Sequence, residues 1–199
     1  MEFQHELIIP DEGFPFKVFL FEGGNGNYVR EKHWHTSIEI FAVLAGSLDF
    51  FVNKEEYPLK AGEQIIINSN EIHSIHAPEK NQTVVLQIPL KQFENYFTAQ
   101  RFIRFRGQEE TTDKKLTSLI KKLYKTYVDR ETGYEFKTMS IFYEIMYILI
   151  RDYRVTEAKE KEIRHSRRLD VLSKITTYMR EHYREELKLS DVAATFGYS

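Results

Sequence analysis

The stretch "KHWHTSIEIFAVLAGSLDFFV", Lys32 to Val52, carries two histidines two residues apart and then a glutamate, inside a nearly unbroken apolar run. Successive side chains of a strand point to opposite faces. His33, His35, Ser37, Glu39 and Phe41 therefore share one face, and Trp34, Ile38, Ile40 and Ala42 share the other. Apolar residues on both faces are expected where two sheets pack or where the outside of a barrel meets helices. The polar side chains all point one way, which makes a converging site. Three such groups can hold a metal, grip a small molecule or line a barrel mouth, and this stretch alone leaves the three open.

Before residue 100 the chain repeats the same theme. Short β-rich runs such as "FPFKVFLF", "SLDFFVN", "QIIIN" and "TVVLQIPL" are separated by Gly- and Asn-bearing turns such as "EGGNGN". Closely spaced runs of this kind indicate an antiparallel sandwich or barrel. After residue 107 proline disappears and the period becomes helical, with Leu116, Leu119, Ile120, Leu123, Tyr124 and Tyr127 on one face. The next helix, about Tyr134 to Tyr153, is apolar nearly all round. Met139, Phe142, Tyr143, Met146, Leu149, Ile150 and Tyr153 form one stripe, and Ile141, Ile145 and Ile148 a second. One chain has few surfaces on which to bury both, so the second stripe is expected to meet its copy across a two-fold axis in a homodimer.

Composition sets outer bounds. The 199 residues are 42% hydrophobic and 29% charged with a net charge of −2, ordinary for a soluble globular protein and neutral on nucleic-acid binding. The absence of cysteine removes disulfides, thiolate metal sites and cysteine nucleophiles. No basic-then-apolar leader opens the chain, and its longest apolar run, Ser140 to Ile150, is too short to span a bilayer. The expectation is a cytoplasmic protein without a membrane partner.

His33-x-His35, Glu39 and Gly46 resemble, residue for residue, the first motif of the cupin superfamily. A second motif follows at the right spacing in "GEQIIINSNEIH", where Gly62 and His73 match and Asn68 and Asn70 stand in place of the family's proline and second glycine. The resemblance covers about residues 10 to 95. It implies an α+β chain whose N-terminal part is a small antiparallel double-stranded β-barrel. It also implies that a metal, if bound, would be held by His33, His35, Glu39 and His73. Three imidazoles and a carboxylate are a competent shell for a divalent metal; the same groups can instead bond a polar ligand directly. With Phe41, Phe50 and Ile66 as walls, these four are expected to form an effector pocket.

The C-terminal stretch "RLDVLSKITTYMREHYREELKLSDVAATFGYS" begins with an amphipathic pattern, Leu169, Leu172, Ile175, Met179 and Tyr183. It breaks at Glu185-Glu186 and restarts with Ser190 as the expected N-cap, Leu189, Val192, Ala193 and Phe196 as a packing face, and Gly197 as the stop. Its wording resembles the start of the DNA-binding domain of AraC-type transcriptional regulators, which join a cupin sensor, dimerisation helices and two helix-turn-helix units. That resemblance implies four segments: an effector-binding barrel (1–106), a helical dimerisation segment (107–155), a charged linker (156–166) and the beginning of a helix-turn-helix domain (167–199). In the family, the serine after "FGY" caps the base-reading helix; here that serine is Ser199. The chain is therefore expected to offer DNA only phosphate contacts, from Arg167, Arg168 and Lys188, and the full-length regulator to read DNA.

The leading expectation is the sensing and dimerising part of an AraC-type regulator, not an enzyme, that answers to a small-molecule effector, a sugar or sugar derivative. The alternatives are a metal-dependent cupin enzyme, an isomerase or dioxygenase, and a binding or storage protein.

Overall fold

Odd and even residues of the opening stretch go to two different cores. The computed structural model describes residues 4–24, 26–53, 55–98, 103–107, 114–155 and 160–198. The described residues include nine strands: β1 (Gln4–His5), β2 (Lys17–Phe21), β3 (Tyr28–Trp34), β4 (Ile38–Ala45), β5 (Ser47–Val52), β6 (Glu55–Lys60), β7 (Gln64–Ile67), β8 (His73–Ala77) and β9 (Gln82–Ile88). They form a five-stranded sheet in the order β1-β3-β8-β5-β6 and a four-stranded sheet in the order β2-β9-β4-β7. All pairings are antiparallel except that of β1 with β3. The fold is α+β with a cupin-like barrel, as the motifs imply.

Between the two sheets, Phe41, Val43, Leu48, Phe50, Leu59, Ile65, Ile67, Ile75 and Val85 pack as the barrel interior. On the outside of the four-stranded sheet, Ile38, Ile40, Ala42, Ile66, Val84, Leu86 and Ile88 face helices α1 (Lys114–Asp129) and α2 (Tyr134–Ile148). Strand β4 is thus covered on both sides, which is why its sequence is apolar in both phases. Helix α1 inserts Leu116, Leu119, Ile120 and Leu123, in the phase its period indicates. Each fully buried side chain of this size contributes about 1.5–3 kcal/mol.

Glycine is required where the barrel turns tightest. Gly46, between β4 and β5, has φ +73°, and a Cβ there would come within 2.2 Å of the Lys80 carbonyl oxygen. Asn70 adopts the left-handed conformation too, at φ 66°, in place of the family's second glycine.

Helix α2 corrects one expectation. Ile141, Ile145 and Ile148 are all but inaccessible and belong to the chain's own outer core, with Phe142 and Leu149. The face left to solvent is Phe136, Tyr143 and Tyr147. Isoleucine has nothing to give water, whereas a tyrosine can bury its ring edge and keep its hydroxyl wet. A single π-helical turn, Leu149–Tyr153, ends the helix and buries Tyr153, whose hydroxyl accepts a 3.0 Å bond from Gln64 Nε2.

Residues Met1–Glu157 form one compact unit and Ala158–Ser199 a second. The second holds helices α3 (Glu160–Glu181) and α4 (Leu189–Thr195). Helix begins at Glu160, so most of the 156–166 stretch expected as a linker is helical, while residues 156–159 lie outside the described ones. Leu172, Met179, Tyr183 and Leu189 are exposed rather than packed, and the side chain of Leu169 lies outside those described. Lys188, not Ser190, holds the N-cap position of α4, with no side-chain cap bond. Gly197 ends that helix as expected: at φ +74° it lets Tyr198 N–H reach the Ala193 carbonyl at 2.8 Å and its own N–H reach Ala194, a Schellman closure.

Candidate functional site

The opening stretch is not one strand. The chain bends between Trp34 and Ile38, so His33 sits on β3 in one sheet while Glu39 and Phe41 sit on β4 in the other. His35 lies on the crossing. The shared parity survives because the sheets face each other, and both inward sides look at the same space. Register completes the set: His73 on β8 is directly opposite His33, and Gln87 on β9 is directly opposite Glu39.

His33, His35, Glu39 and His73 are each less than 5% exposed. The ligand nitrogens of the three histidines lie within 4.8 Å of one another. His35 Nε2 is 3.0 Å and His73 Nε2 is 3.2 Å from Glu39 Oε2. Gln87 Nε2 donates to the other carboxylate oxygen, Oε1, at 2.7 Å.

The far side of each ring fixes its tautomer. His33 Nδ1 is 2.9 Å from the Glu31 carbonyl, His35 Nδ1 is 3.1 Å from that of Ser37, and His73 Nδ1 is 2.9 Å from that of Glu71. A carbonyl only accepts, so each Nδ1 carries a hydrogen and each Nε2 is left to face inward. Backbone carbonyls that orient histidines in this way are the usual second layer of a metal site. Glu39 Oε2, itself an acceptor, therefore meets the Nε2 atoms of His35 and His73, and such a meeting is favourable only if a proton or a metal cation lies between them. In the metal-free chain His35 takes the proton. Burial works against its charged form, but the adjacent Glu39 carboxylate outweighs this and holds the proton above the ordinary histidine range. Burial would likewise raise Glu39, yet the adjacent His35, by its charge and its hydrogen bond, holds it well below the usual carboxylate range. His33 is pushed down to about 4, by burial and then by the neighbouring His73. His73 Nε2 is buried with no hydrogen-bond partner. An orphaned inward nitrogen, two further inward nitrogens and a carboxylate fit a divalent metal.

A cavity of about 220 Å³ opens onto this cluster. His33, Glu39 and Gln87 reach it, Phe19, Phe21, Phe41 and Val85 form apolar walls, and Glu6, Tyr28 and Arg30 stand around it. Phe41 is a wall as expected. Phe50 is not: it lies behind Phe41, ring centroids 4.6 Å apart. Ile66 is on the wrong side. It pairs with Ile40, one residue out of phase with Glu39 and Phe41, and packs against the helices. Gln87 was legible as the one amide in "TVVLQIPL", where Thr83 is the other polar residue and shares its parity. Nothing in the sequence marks Glu6 or Arg30, which arrive by the parallel β1–β3 pairing and by a bulge between Arg30 and His33.

Comparison with known families decides the assignment. Residues 15–146 match the family described as AraC-like ligand binding domain. The chain belongs to that family. The AraC-like domain is an effector-sensing cupin domain, and its ligand is a small molecule. Solved structures resemble it over little more than a third of its length. They include a conserved protein of unknown function from Streptococcus pyogenes (16% identity, TM-score 0.36, 38% of this chain and 66% of that one). A cupin superfamily protein from Desulfitobacterium hafniense DCB-2 gives 11%, 0.36, 38% and 68%, and KdgF from Halomonas sp. gives 19%, 0.36, 38% and 72%. Scores this low carry no further statement about the AraC-like chain. No curated protein matches it. Among the described residues no helix is long and apolar enough to cross a membrane.

Proposed function

We propose that this chain is the sensing and dimerising part of an AraC-type DNA-binding transcriptional regulator, and that His33, His35, Glu39 and His73 form the polar end of its effector pocket. The supporting observation is the convergence of three histidine ligand nitrogens and one carboxylate, of which His33 and Glu39 reach a cavity of about 220 Å³ with apolar walls. These four residues would hold a divalent metal, which when bound supplies a Lewis-acidic seat for an effector oxygen. The rest of the chain orients that seat: the carbonyls of Glu31, Ser37 and Glu71 set the rings, and Gln87 fixes Glu39. The effector is a sugar or sugar derivative, whose hydroxyls suit imidazole and carboxylate partners and whose C–H face suits Phe19, Phe21 and Phe41.

Dimerisation uses the outward face of α2, Phe136, Tyr143 and Tyr147, in place of the isoleucine stripe. The second unit begins the helix-turn-helix domain of a cytoplasmic regulator. Its contacts to DNA phosphates would include Arg168 and Lys188, which are exposed, and Arg167, whose side chain lies outside those described.

A promoter–reporter assay on the full-length regulator tests the reading. Glu39→Gln should abolish the effector response while operator affinity is unchanged; a variant that responds like wild type contradicts it. The buried three-imidazole, one-carboxylate set also favours a second reading, a metal-dependent cupin enzyme such as an isomerase or dioxygenase. Metal-dependent turnover of a sugar by the purified chain would select that reading.

A further inference from the structure

We propose that the ligand of this cavity is a small carboxylate, and that the chain's own Glu6 occupies the carboxylate seat when the ligand is absent. The inference rests on the sensor reading only in treating the cavity as the effector site; the seat itself follows from geometry. Strand β1 runs parallel to β3, with Gln4 beside His33 and His5 beside Trp34, and Glu6 N–H donates to the Trp34 carbonyl at 2.9 Å. This carries Glu6 over the mouth of the cavity. Its Oε2 lies 3.1 Å from Arg30 Nη2 and 3.4 Å from His33 Nε2.

The seat is built for a carboxylate but held loosely by this one. His33 spends its Nδ1–H on the Glu31 carbonyl, so the neutral ring turns a lone pair toward Glu6. Arg30 is then the only donor of this pair of side chains, and its side chain is 45% exposed, where an ion pair is weak. Behind the carboxylate, the short glutamate stem cannot cover the apolar walls, and Phe19, Phe41 and Val85 still line open space. A free acid with a ring attached would take the same bonds from Arg30, whose planar fork can grip a carboxylate with two donors. It would also bury its body against those walls. At about 220 Å³ the cavity lies below the roughly 300–1,000 Å³ of drug-sized sites, which limits the ligand to about one ring. An acid derived from a sugar and an aromatic acid share this chemistry.

The test is isothermal titration of the whole chain with glucuronate and with benzoate, beside their uncharged counterparts glucose and benzyl alcohol. At least one acid should bind about tenfold or more tightly than its counterpart. Glu6→Gln should tighten that acid at least about fivefold by vacating the seat, and Arg30→Gln should weaken it by about tenfold or more. Glucuronate prevailing would identify the sugar-derived source, and benzoate the aromatic one. Equal affinity for acid and counterpart overturns the proposal, as does a Glu6→Gln chain with unchanged affinity or with no binding of either acid at millimolar concentration. The sensor reading fails separately, if an acid bound in the expected way leaves reporter output of the full regulator unchanged.

Discussion

Strand β4 divides two buried regions that treat polar atoms differently. Toward the helices, the polar groups that enter are paired: Gln64 donates to the Tyr153 hydroxyl and accepts from the Thr117 hydroxyl, both at 3.0 Å, and all three are buried. Thr138 Oγ1 is an exception there. Toward the barrel interior, polar groups are gathered and left incomplete. His73 Nε2 and Gln87 Oε1 are buried without hydrogen-bond partners, and Glu39 faces imidazole nitrogens that need a proton or a cation to satisfy it. Burying an unpaired polar atom costs about 1–3 kcal/mol. The side of the sheet that gathers such costs, while the other side pairs most of its polar groups, is the side proposed as the binding site, with the helix-facing side as its scaffold.

The comparison breaks most violently on the scaffold side. Ile145→Asp places an unpaired charge in a fully enclosed apolar position and should cost about 4 kcal/mol or more. Thermal melting by circular dichroism should show loss of the cooperative transition near its native temperature. Soluble, folded monomers from this variant would contradict the buried assignment. Tyr143→Asp, on the outward face of the same helix, should leave the melting temperature within a few degrees and weaken self-association about tenfold or more, read by sedimentation equilibrium. An unmodified chain that sediments as a monomer at micromolar concentration would sink the proposed interface.

How much of this was legible follows from what each residue type does to water. His33, His35 and Glu39 mark a candidate site because they bring polar groups to one face of an otherwise apolar run, and the second motif adds His73. Ile66 was misplaced because "QIIIN" has no polar residue to mark its phase, and a one-residue slip in a strand changes the face. The α2 stripes failed for a related reason. An all-apolar helix does not declare which side is inward, and the deciding cue was chemical: tyrosine hydroxyls favour the outside, isoleucines do not. The placement of Glu6 and Arg30 depends on long-range parallel pairing and a bulge, which local pattern does not encode.

Acidity sharpens the comparison further, because the titrating groups lie on the interior side. His33 is held near 4 when folded and is ordinary when unfolded, so its contribution to stability falls as pH drops from about 6.5 toward 4. Glu39, held low, acts in the same sense further into acid. His35, held high, contributes fully below about 6.5 and loses its contribution as pH rises through its folded value. The metal-free chain should therefore melt highest near pH 6.5. An added divalent metal must displace the His35 proton, so its stabilisation should grow with pH and move that maximum upward. Melting curves between pH 4 and 9, with chelator and with zinc, check this; curves of identical shape would count against it. The expected difference is a few degrees, the smallest of the three effects.

The most direct test is a zinc titration of the purified chain, followed through the imidazole ¹⁵N resonances. The account predicts one ion per chain, with the Nε2 signals of His33, His35 and His73 shifting together and their Nδ1 atoms remaining protonated. Glu39→Gln should weaken binding about 100-fold, since a charged ligand is replaced by a neutral one of the same shape. Nε2 signals that stay in place at saturating zinc, or a Glu39→Gln chain that binds as tightly as the parent, would contradict the claim that the barrel interior is a binding centre.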